Sequence, residues 1–139
     1  MRRPSIGRRF IRFGGPSAAE MLVGHGPRLL VDVAGGEDTV MVAVRGELDI
    51  GTAAVLRERL RHAEAAGGAT VVVDLRAVTF LDSAGIAELM AAHQRARATG
   101  RRLAIVRGRR TPVGHVLEIT AAELDLETAD SLAALHSTP

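Results

Sequence analysis

VVVDLRAVTFLDSAG, residues 71–85, is the stretch that decides the fold of this chain. Its first five residues form an apolar, mostly β-branched run, which is typical of a fully buried strand. Residues 76–79 are expected to form a short connection to Asp82 and Ser83, two residues that favour helix N-termini. A helical pattern follows at once, with side chains at the spacing of one helix face: Ile86, Leu89, Met90 and His93. The stretch predicts that a buried strand delivers Ser83 to a helix N-terminus at a sheet edge, where open α/β sheets place their chemistry.

The composition of the whole chain limits the kinds of site it can build. Its 139 residues suit one domain with an ordinary core, and 47% of them are apolar. Aromatic residues make up only 2%, without Trp or Tyr, so stacking on nucleic-acid bases is nearly unavailable. The absence of cysteine excludes disulfides, zinc–thiolate sites and thiol catalysis, and it is compatible with a reducing cytoplasm.

The charge of the chain is concentrated at its N-terminus. All 18 basic residues are arginines, and they face 16 acidic residues. Five of the arginines fall in the first thirteen residues, which leaves 13 arginines against 16 acidic residues, a net charge of −3, in the rest. The high calculated pI of about 10.8 reflects arginine, which keeps its proton at high pH. We therefore expect no direct nucleic-acid binding by the folded part. The five arginines in the first thirteen residues are Arg2, Arg3, Arg8, Arg9 and Arg12.

Residues 1–27 are rich in Arg, Gly, Pro and Ser and show no sustained hydrophobic period. We interpret them as a mobile basic N-terminal extension and residues 28–139 as a single domain. No apolar run approaches the roughly 18 residues that a membrane span requires. The start also lacks the apolar segment that follows the basic residues of a signal peptide. The expectation is a cytoplasmic protein without a membrane span.

The order of predicted elements indicates an α/β fold. Strands at 29–33 and 40–44 form a hairpin, and a helix capped by Thr52 carries the apolar stripe Leu56, Leu60 and Ala63, with residues 57–59, 61 and 64 toward solvent. Strand 71–75, a helix to about residue 98, strand 103–106, a helix from Pro112, an edge strand at 124–126 and a helical turn at 131–135 follow. The order β-β-α-β-α-β-α-β-α predicts a mixed sheet of four to five strands with helices packed on it.

Ser83 is the first candidate for chemistry. A hydroxyl at a helix N-terminus is placed to accept a phosphate, because the N–H groups there favour an added anion; the alternative is a plain helix cap. Catalysis is not indicated: the nucleophile elbow requires a glycine two residues before the serine, and Leu81 stands there. None of the five histidines falls in a pattern that supplies a base. We therefore predict no catalytic residue.

Two aspartates, Asp49 and Asp82, follow predicted strands and should lie at the same end of the sheet. They either cap helices or form an acidic rim around Ser83 that a partner contacts. Two carboxylates without further ligand spacing do not indicate a metal, and the chain has neither a phosphate-binding glycine loop nor any lysine. We expect no cofactor and no metal. The basic loop at Arg107, Arg109 and Arg110 is either an anion-binding site or a solvated loop.

Three stretches together resemble the STAS family, and within it the stand-alone bacterial anti-anti-sigma factors, also called anti-sigma factor antagonists. They are residues 42–49, ending in Gly46-Glu47-Leu48-Asp49, residues 71–75, and residues 80–85, FLDSAG. The resemblance spans roughly residues 29–135, and the family's order of elements matches the predicted one. The Asp-Ser pair of the family falls on Asp82 and Ser83. The one departure is Ala84, where Ser or Thr is commoner.

The resemblance implies a binding module and not an enzyme. Family members bind an anti-sigma factor that is also a serine kinase of the histidine-kinase-like ATPase fold, and binding frees a sigma factor, often in a stress response. The kinase phosphorylates the family serine, here Ser83, and a metal-dependent serine phosphatase reverses this. A monomer or weak dimer is expected. The implied partner-binding residues are Glu47, Asp49, Asp82, Ser83, Ala84 and Gly85.

Other functions give different expectations. A STAS module that regulates a membrane transport system would bind a separate transporter. A small-molecule or nucleotide sensor would show a ligand-induced shift in melting temperature, and a hydrolase would have a reactive Ser83. For the antagonist we predict that Ser83→Asp weakens kinase binding strongly and barely changes the melting temperature, because a helix N-terminus tolerates the added negative charge.

Overall fold

The computed structural model describes residues 11–13, 28–108 and 111–137. The strands are β1 (Ile11–Phe13), β2 (Leu29–Gly35), β3 (Thr39–Leu48), β4 (Thr70–Leu81), β5 (Arg102–Val106) and β6 (Glu127–Ala129). The helices are α1 (Ala53–Ala65), α2 (Ser83–Ala98), α3 (Pro112–Leu124) and α4 (Leu132–Ser137). No helix within these described residues is both long enough and apolar enough to cross a membrane.

All six strands form one mixed sheet, in which their spatial order is the same as their order in the chain. β1, β2 and β3 are antiparallel, whereas β3 to β6 run parallel and are linked by α1, α2 and α3. Because each parallel connection moves one strand in the same direction, right-handed crossovers place these three helices on one face. The carboxyl ends of β3 to β6 consequently lie along one edge of the sheet.

The main core fills the space between that face and the three helices, and it is made of aliphatic side chains. Its largest fully buried members include Leu48, Leu56, Leu60, Leu75, Leu89, Ile105 and Leu117. A smaller cluster lies on the opposite face, where α4 contributes Leu135 against Val72, Ala104, Val106 and Ala129. α3 and α4, which follow neighbouring strands, therefore pack on opposite faces of the sheet.

The predicted mixed α/β sheet and its element order from residue 29 onward are confirmed. β1 is an additional strand within the N-terminal segment, paired with the far end of β2 from Ile11↔Gly35 to Phe13↔Val33. The rest of residues 1–27 lies outside the described residues, so the interpretation of that segment as a mobile extension stays a prediction.

Two boundary predictions are wrong. The expected connection at 76–79 belongs to β4, which stays paired with β3 past two register shifts and reaches Leu81. The edge strand expected at 124–126 begins later, at Glu127, because Asp125 adopts a left-handed conformation (φ 57°) that ends α3. The short apolar run at 124–126 therefore supplies a buried Leu126 and not a strand.

The predicted stripe of α1 is confirmed, but two other helix-face predictions are corrected. Arg59, expected toward solvent, is buried, because it lies three residues after Leu56 on the face that packs against the core. The buried face of α2 is rotated from the predicted one: Ile86, Met90 and His93 are only half-buried. The residues of α2 that are buried are Gly85, Glu88, Leu89, Ala92 and Ala96.

Candidate functional site

The carboxyl ends of β3 and β4 bring the predicted site residues together. Leu48 and Leu81, the last residues of the two strands, are register partners, and the Asp82 N–H donates a hydrogen bond to the Leu48 carbonyl oxygen (3.2 Å). The chain leaves each strand through an aspartate, Asp49 after β3 and Asp82 after β4. The expectation that both aspartates lie at the same end of the sheet is therefore met.

Asp82 is the N-cap of α2. It has an extended backbone, and its Oδ1 accepts hydrogen bonds from the N–H groups of Ala84 (2.9 Å) and Gly85 (3.3 Å). These N–H groups have no partner within the helix, so the aspartate satisfies them. Because Asp82 supplies the cap, Ser83 is the first residue of the helix, and it is exposed. The alternative in which Ser83 serves as the helix cap is thus excluded.

Asp49 organises the loop after β3. Its Oδ1 accepts hydrogen bonds from the N–H groups of Gly51 (2.9 Å) and Thr52 (3.1 Å) and from Nη2 of Arg28 (2.9 Å). Burial acts to raise the pKa of Asp49, but the Arg28 charge and the hydrogen bonds from Gly51, Thr52 and Arg28 outweigh it and lower that pKa below its ordinary value. Asp49 is therefore an ionised, fixed group at neutral pH.

Thr52 does not cap α1 in the predicted way. Its side chain makes no hydrogen bond to the first turn of the helix. The residue is buried, and its hydroxyl lies 2.8 Å from the Glu47 carbonyl oxygen while accepting from the Asp49 N–H (3.0 Å). Thr52 instead ties the end of β3 to the start of α1, while Oδ1 of Asp49 accepts from the Gly51 and Thr52 N–H groups just before the helix and the Asp49 carbonyl oxygen accepts from Ala53.

Two glycines allow the chain to pack closely at this end of the sheet. Gly46 has a φ of 114°, and a Cβ there would overlap the carbonyl oxygen of Arg28. Gly85 lies in the first turn of α2, where a Cβ would fall 2.6 Å from Cγ of Leu48 and 2.8 Å from Cδ1 of Leu81. Both positions require glycine because backbone or buried side chains already occupy the space. At these two glycines the backbone therefore closes over the ends of β3 and β4.

Sequence reasoning missed two exposed apolar residues at the site. Ile50 is 85% exposed in the loop that Asp49 holds, and Phe80 is 48% exposed near the end of β4, opposite Glu47 in register. Of the predicted partner-binding residues, Glu47 and Ser83 are exposed, and Gly85 is buried. The sequence did contain a signal for Ile50. Turns normally carry polar residues, so a large aliphatic residue between Asp49 and Gly51 indicates an exposed apolar side chain.

Arg28 was missed as well, and no sequence pattern would have found it. It lies 21 residues before Asp49, and only the pairing of β2 with β3 brings the two side chains together. The Arg28 carbonyl oxygen also accepts from the Glu47 N–H (2.8 Å). The site loop is therefore joined to the start of β2 by both backbone and side chain.

The only histidine of α2 lies far from Ser83 along the helix. His93, on the same helix as Ser83, lies ten residues further on, roughly 15 Å away at the rise of an α-helix. In residues 28–108 and 111–137, together with 11–13, no group of three or more His, Asp and Glu side chains is placed to hold a metal ion. What the geometry offers is an exposed hydroxyl beside fixed carboxylates and two apolar side chains, which is a surface suited to a protein partner.

Comparison with known proteins agrees with this description. A family model for the STAS domain matches residues 31–135. Three solved structures share the fold, all with less than 25% identity. One is an anti-sigma factor antagonist from Mycobacterium paratuberculosis, which is 23% identical, with a TM-score of 0.64 and coverage of 76% of this chain and 89% of the other.

The other two are structures of SpoIIAA. In its unphosphorylated form, this anti-sigma factor antagonist is 16% identical, with a TM-score of 0.58 and coverage of 76% of this chain and 93% of the other. The phosphorylated form, described as a Bacillus cell fate determinant, is 17% identical, with a TM-score of 0.56 and coverage of 76% and 96%. At these identities the likeness shows a shared fold.

Proposed function

We propose, since this chain belongs to the STAS family, that it acts as an anti-sigma factor antagonist: it binds an anti-sigma factor and so releases a sigma factor. The matched region contains the site residues from Glu47 to Gly85. Its structural relatives include anti-sigma factor antagonists, and one of these, SpoIIAA, has been solved in both phosphorylated and unphosphorylated forms. The role is one of binding and not of catalysis, and it would be performed in the cytoplasm, where sigma factors act.

The proposed partner is an anti-sigma factor of the histidine-kinase-like ATPase type. It would contact the surface formed by the ends of β3 and β4, where Ile50 and Phe80 offer exposed apolar area. Glu47 is the register partner of Phe80, Asp49 directly precedes Ile50, and together with Asp82 they supply negative charge. Exposed apolar side chains near charged ones are found at transient protein interfaces.

The observation that supports the proposed switch is that Asp82, and not Ser83, caps α2. Asp82 binds the free N–H groups of α2, so the Ser83 hydroxyl stays exposed at the first position of the helix. Phosphorylation by the kinase partner would add about −1.5 to −2 charges there. The positive end of the helix tolerates that charge, but a partner surface packed against Ser83 would have to desolvate it beside Asp82. A metal-dependent serine phosphatase would restore binding.

The first test is affinity capture of binding partners. Wild type, Ser83→Asp and the matched control Ser83→Ala are used as bait in lysate of the source organism, and captured proteins are identified by mass spectrometry. We expect wild type and Ser83→Ala to capture a histidine-kinase-like ATPase and Ser83→Asp to lose it. With that ATPase purified, calorimetry should give at least a hundredfold weaker Kd for Ser83→Asp, and the melting temperatures of all three forms should agree within about 2 °C.

Phosphorylation is tested with the same purified ATPase. Incubation with Mg·ATP should label wild type on Ser83, and Ser83→Ala should remain unlabelled. Labelling at another residue would contradict the proposed acceptor. Equal capture of a transporter subunit by wild type and Ser83→Asp would contradict the antagonist role and support a STAS module that regulates membrane transport.

A further inference from the structure

One arginine joins the start of β2 to the loop that follows β3. Arg28 directly precedes β2, and its side chain, which is 44% exposed, forms an ion pair with Asp49. Its carbonyl oxygen accepts from the Glu47 N–H (2.8 Å), so its backbone is also fixed to β3. Arg28 lies outside residues 31–135, which the STAS family model matches. Its role therefore follows from contacts of this chain and not from the family.

The loop between β3 and α1, residues 49–52, is held through one carboxylate oxygen. Oδ1 of Asp49 accepts from the Gly51 N–H (2.9 Å), from the Thr52 N–H (3.1 Å) and from Nη2 of Arg28 (2.9 Å). The two backbone bonds are local and shape the loop. The bond from Arg28 reaches across 21 positions of the chain, so it fixes the carboxylate, and with it the loop, relative to the neighbouring strand.

Ile50 lies in the middle of this loop and is not held by packing. Its side chain is 85% exposed, so its position depends on the backbone of residues 49–52 and therefore on the Asp49 carboxylate. A loop that is already ordered loses less conformational entropy when a partner covers it, and the partner binds it more tightly. The order of this loop in the free protein thus affects how strongly Ile50 can be bound.

Gly51 leaves the space that the Arg28 guanidinium occupies. A Cβ at Gly51 would fall 2.7 Å from Nη2 of Arg28 and 3.3 Å from Oδ1 of Asp49. The guanidinium therefore lies directly against the loop backbone, and a side chain at position 51 would displace it. Gly51 does not have a positive φ, so it is this space, and not an unusual backbone conformation, that requires glycine here.

We propose that Arg28 is a positioning residue for the anti-sigma factor: through Asp49 it holds residues 49–52, and with them Ile50, in the conformation that this partner binds. The inference rests on the proposed antagonist function. It does not involve the basic loop at 107–110, in which Arg109 and Arg110 lie outside the described residues, so both interpretations of that loop stay predictions.

The first measurement uses the free, ¹⁵N-labelled full-length protein without any partner. In Arg28→Gln, hydrogen exchange of the Gly51 N–H should accelerate by about fivefold or more, because its acceptor, the Asp49 carboxylate, is no longer fixed. The NMR order parameter of the Ile50 N–H should fall from about 0.85 toward about 0.6. Exchange in the middle of α1 should not change, and the melting temperature should stay within about 3 °C of wild type.

Three further variants separate the position of the guanidinium from its charge. Gly51→Ala keeps the net charge but puts a methyl group where Nη2 of Arg28 lies, so it should reproduce both effects of Arg28→Gln. Arg28→Lys should retain most of the loop order, because the bond to Asp49 uses a single N–H group that an ammonium can replace. Arg102→Gln is the matched control: Arg102 is 41% exposed and paired with Glu127 at the opposite edge of the sheet, so its loss should leave the loop unchanged.

The second measurement is calorimetry with the histidine-kinase-like ATPase that wild type captures. Arg28→Gln and Gly51→Ala should each weaken its Kd by about tenfold, because the partner must then order the loop. Arg28→Lys should weaken the Kd by no more than about threefold, and Arg102→Gln should leave it unchanged.

The outcomes distinguish this inference from the function on which it rests. Unchanged Gly51 exchange in Arg28→Gln, or a disordered loop with an unchanged Kd, would overturn the positioning role and leave the antagonist proposal intact. A weaker Kd in Arg28→Gln with an ordered loop and a normal Kd in Gly51→Ala would make Arg28 a direct contact of the partner, which also refutes positioning. If wild type captures no such ATPase, the antagonist proposal fails and this role of Arg28 fails with it, whatever the loop does.

Discussion

The two ends of the parallel sheet edge differ in shape although the same kind of strand forms both. At the ends of β3 and β4 the chain leaves toward α1 and α2, which pack on one face, and Gly46 and Gly85 let the backbone close over the strands. At the ends of β5 and β6 the chain leaves toward opposite faces, and a cleft of about 340 Å³ remains. Closure at one end and opening at the other follow from the direction in which each connection turns.

One sheet edge can therefore present a closed surface at one end and a cleft at the other. A closed surface with exposed apolar side chains matches a protein partner, which covers a wide area. If this difference in shape is also a difference in tolerance, substitutions at the closed end should cost more stability than matched substitutions at the open end.

The largest effect is expected from adding one methyl group at the closed end. Gly46→Ala should cost about 3 kcal/mol or more of unfolding free energy, because the new Cβ would overlap the Arg28 carbonyl oxygen in addition to the strain of a positive φ. The matched change at the open end is Gly108→Ala, also at positive φ (78°), where the nearest atom is Cγ of Arg76 at 3.4 Å. It should cost about 1 kcal/mol. Urea denaturation measures both; equal costs would contradict the comparison.

The next effect concerns binding. Ile50→Ser should weaken binding of the captured anti-sigma factor by about tenfold or more. The Ile50 side chain is 85% exposed in the free protein and would be buried against the partner, and serine would not contribute that hydrophobic burial to the complex. Stability should hardly change. Ile119→Ser, at a half-exposed isoleucine on α3, is the control and should leave the Kd unaffected. An unchanged Kd for Ile50→Ser would place the interface elsewhere.

A smaller effect is expected from the charge that fixes the closed loop. Asp49→Asn should cost about 0.5 to 1 kcal/mol at pH 7, since the amide oxygen still accepts from Gly51 and Thr52 but the attraction to Arg28, whose side chain is 44% exposed, is lost. The pKa of Asp49 is lowered in the folded state, so this stabilisation is full above the ordinary value of 3.8 and disappears as the pH falls through the folded pKa.

Thermal unfolding of wild type and Asp49→Asn from pH 7 to pH 2 measures this difference. The two stability curves should converge at the acid end. A gap that stays constant with pH would show that the charge of Asp49 does not contribute, and a gap that widens in acid would mean that the pKa is raised.

The smallest effect is expected at the open end. Arg107→Gln should change the unfolding free energy by no more than about 0.5 kcal/mol, because the guanidinium makes only one long hydrogen bond and has a buried N–H without an acceptor among the described residues. A loss above about 1.5 kcal/mol in urea denaturation would show that Arg107 supports the fold.

Much of the fold was readable from local pattern. The apolar run at 71–75 lies in the first half of β4, and the stripe of α1 through Leu56, Leu60 and Ala63 is buried as predicted. The face of α2 was predicted less well, because Gly85 allows the helix to approach Leu48 and Leu81 with its small side, which leaves Ile86 and Met90 only half-buried, with Met90 at the margin of the main core. Hydrophobic period alone does not report how closely a helix approaches its sheet.

The order of elements, the aspartate after each of the two strands and the position of Ser83 at the start of α2 depend on residues close together in the chain, so local pattern was enough to predict them. The meeting of Arg28 with Asp49, and of Arg107 with Asp130 at one cleft, became visible only in the packed chain. Such contacts join residues on different strands and helices, and they arise from strand register and from the face to which each connection turns. Local sequence pattern encodes neither the strand register nor the face to which a connection turns, because each depends on the packing of the whole chain.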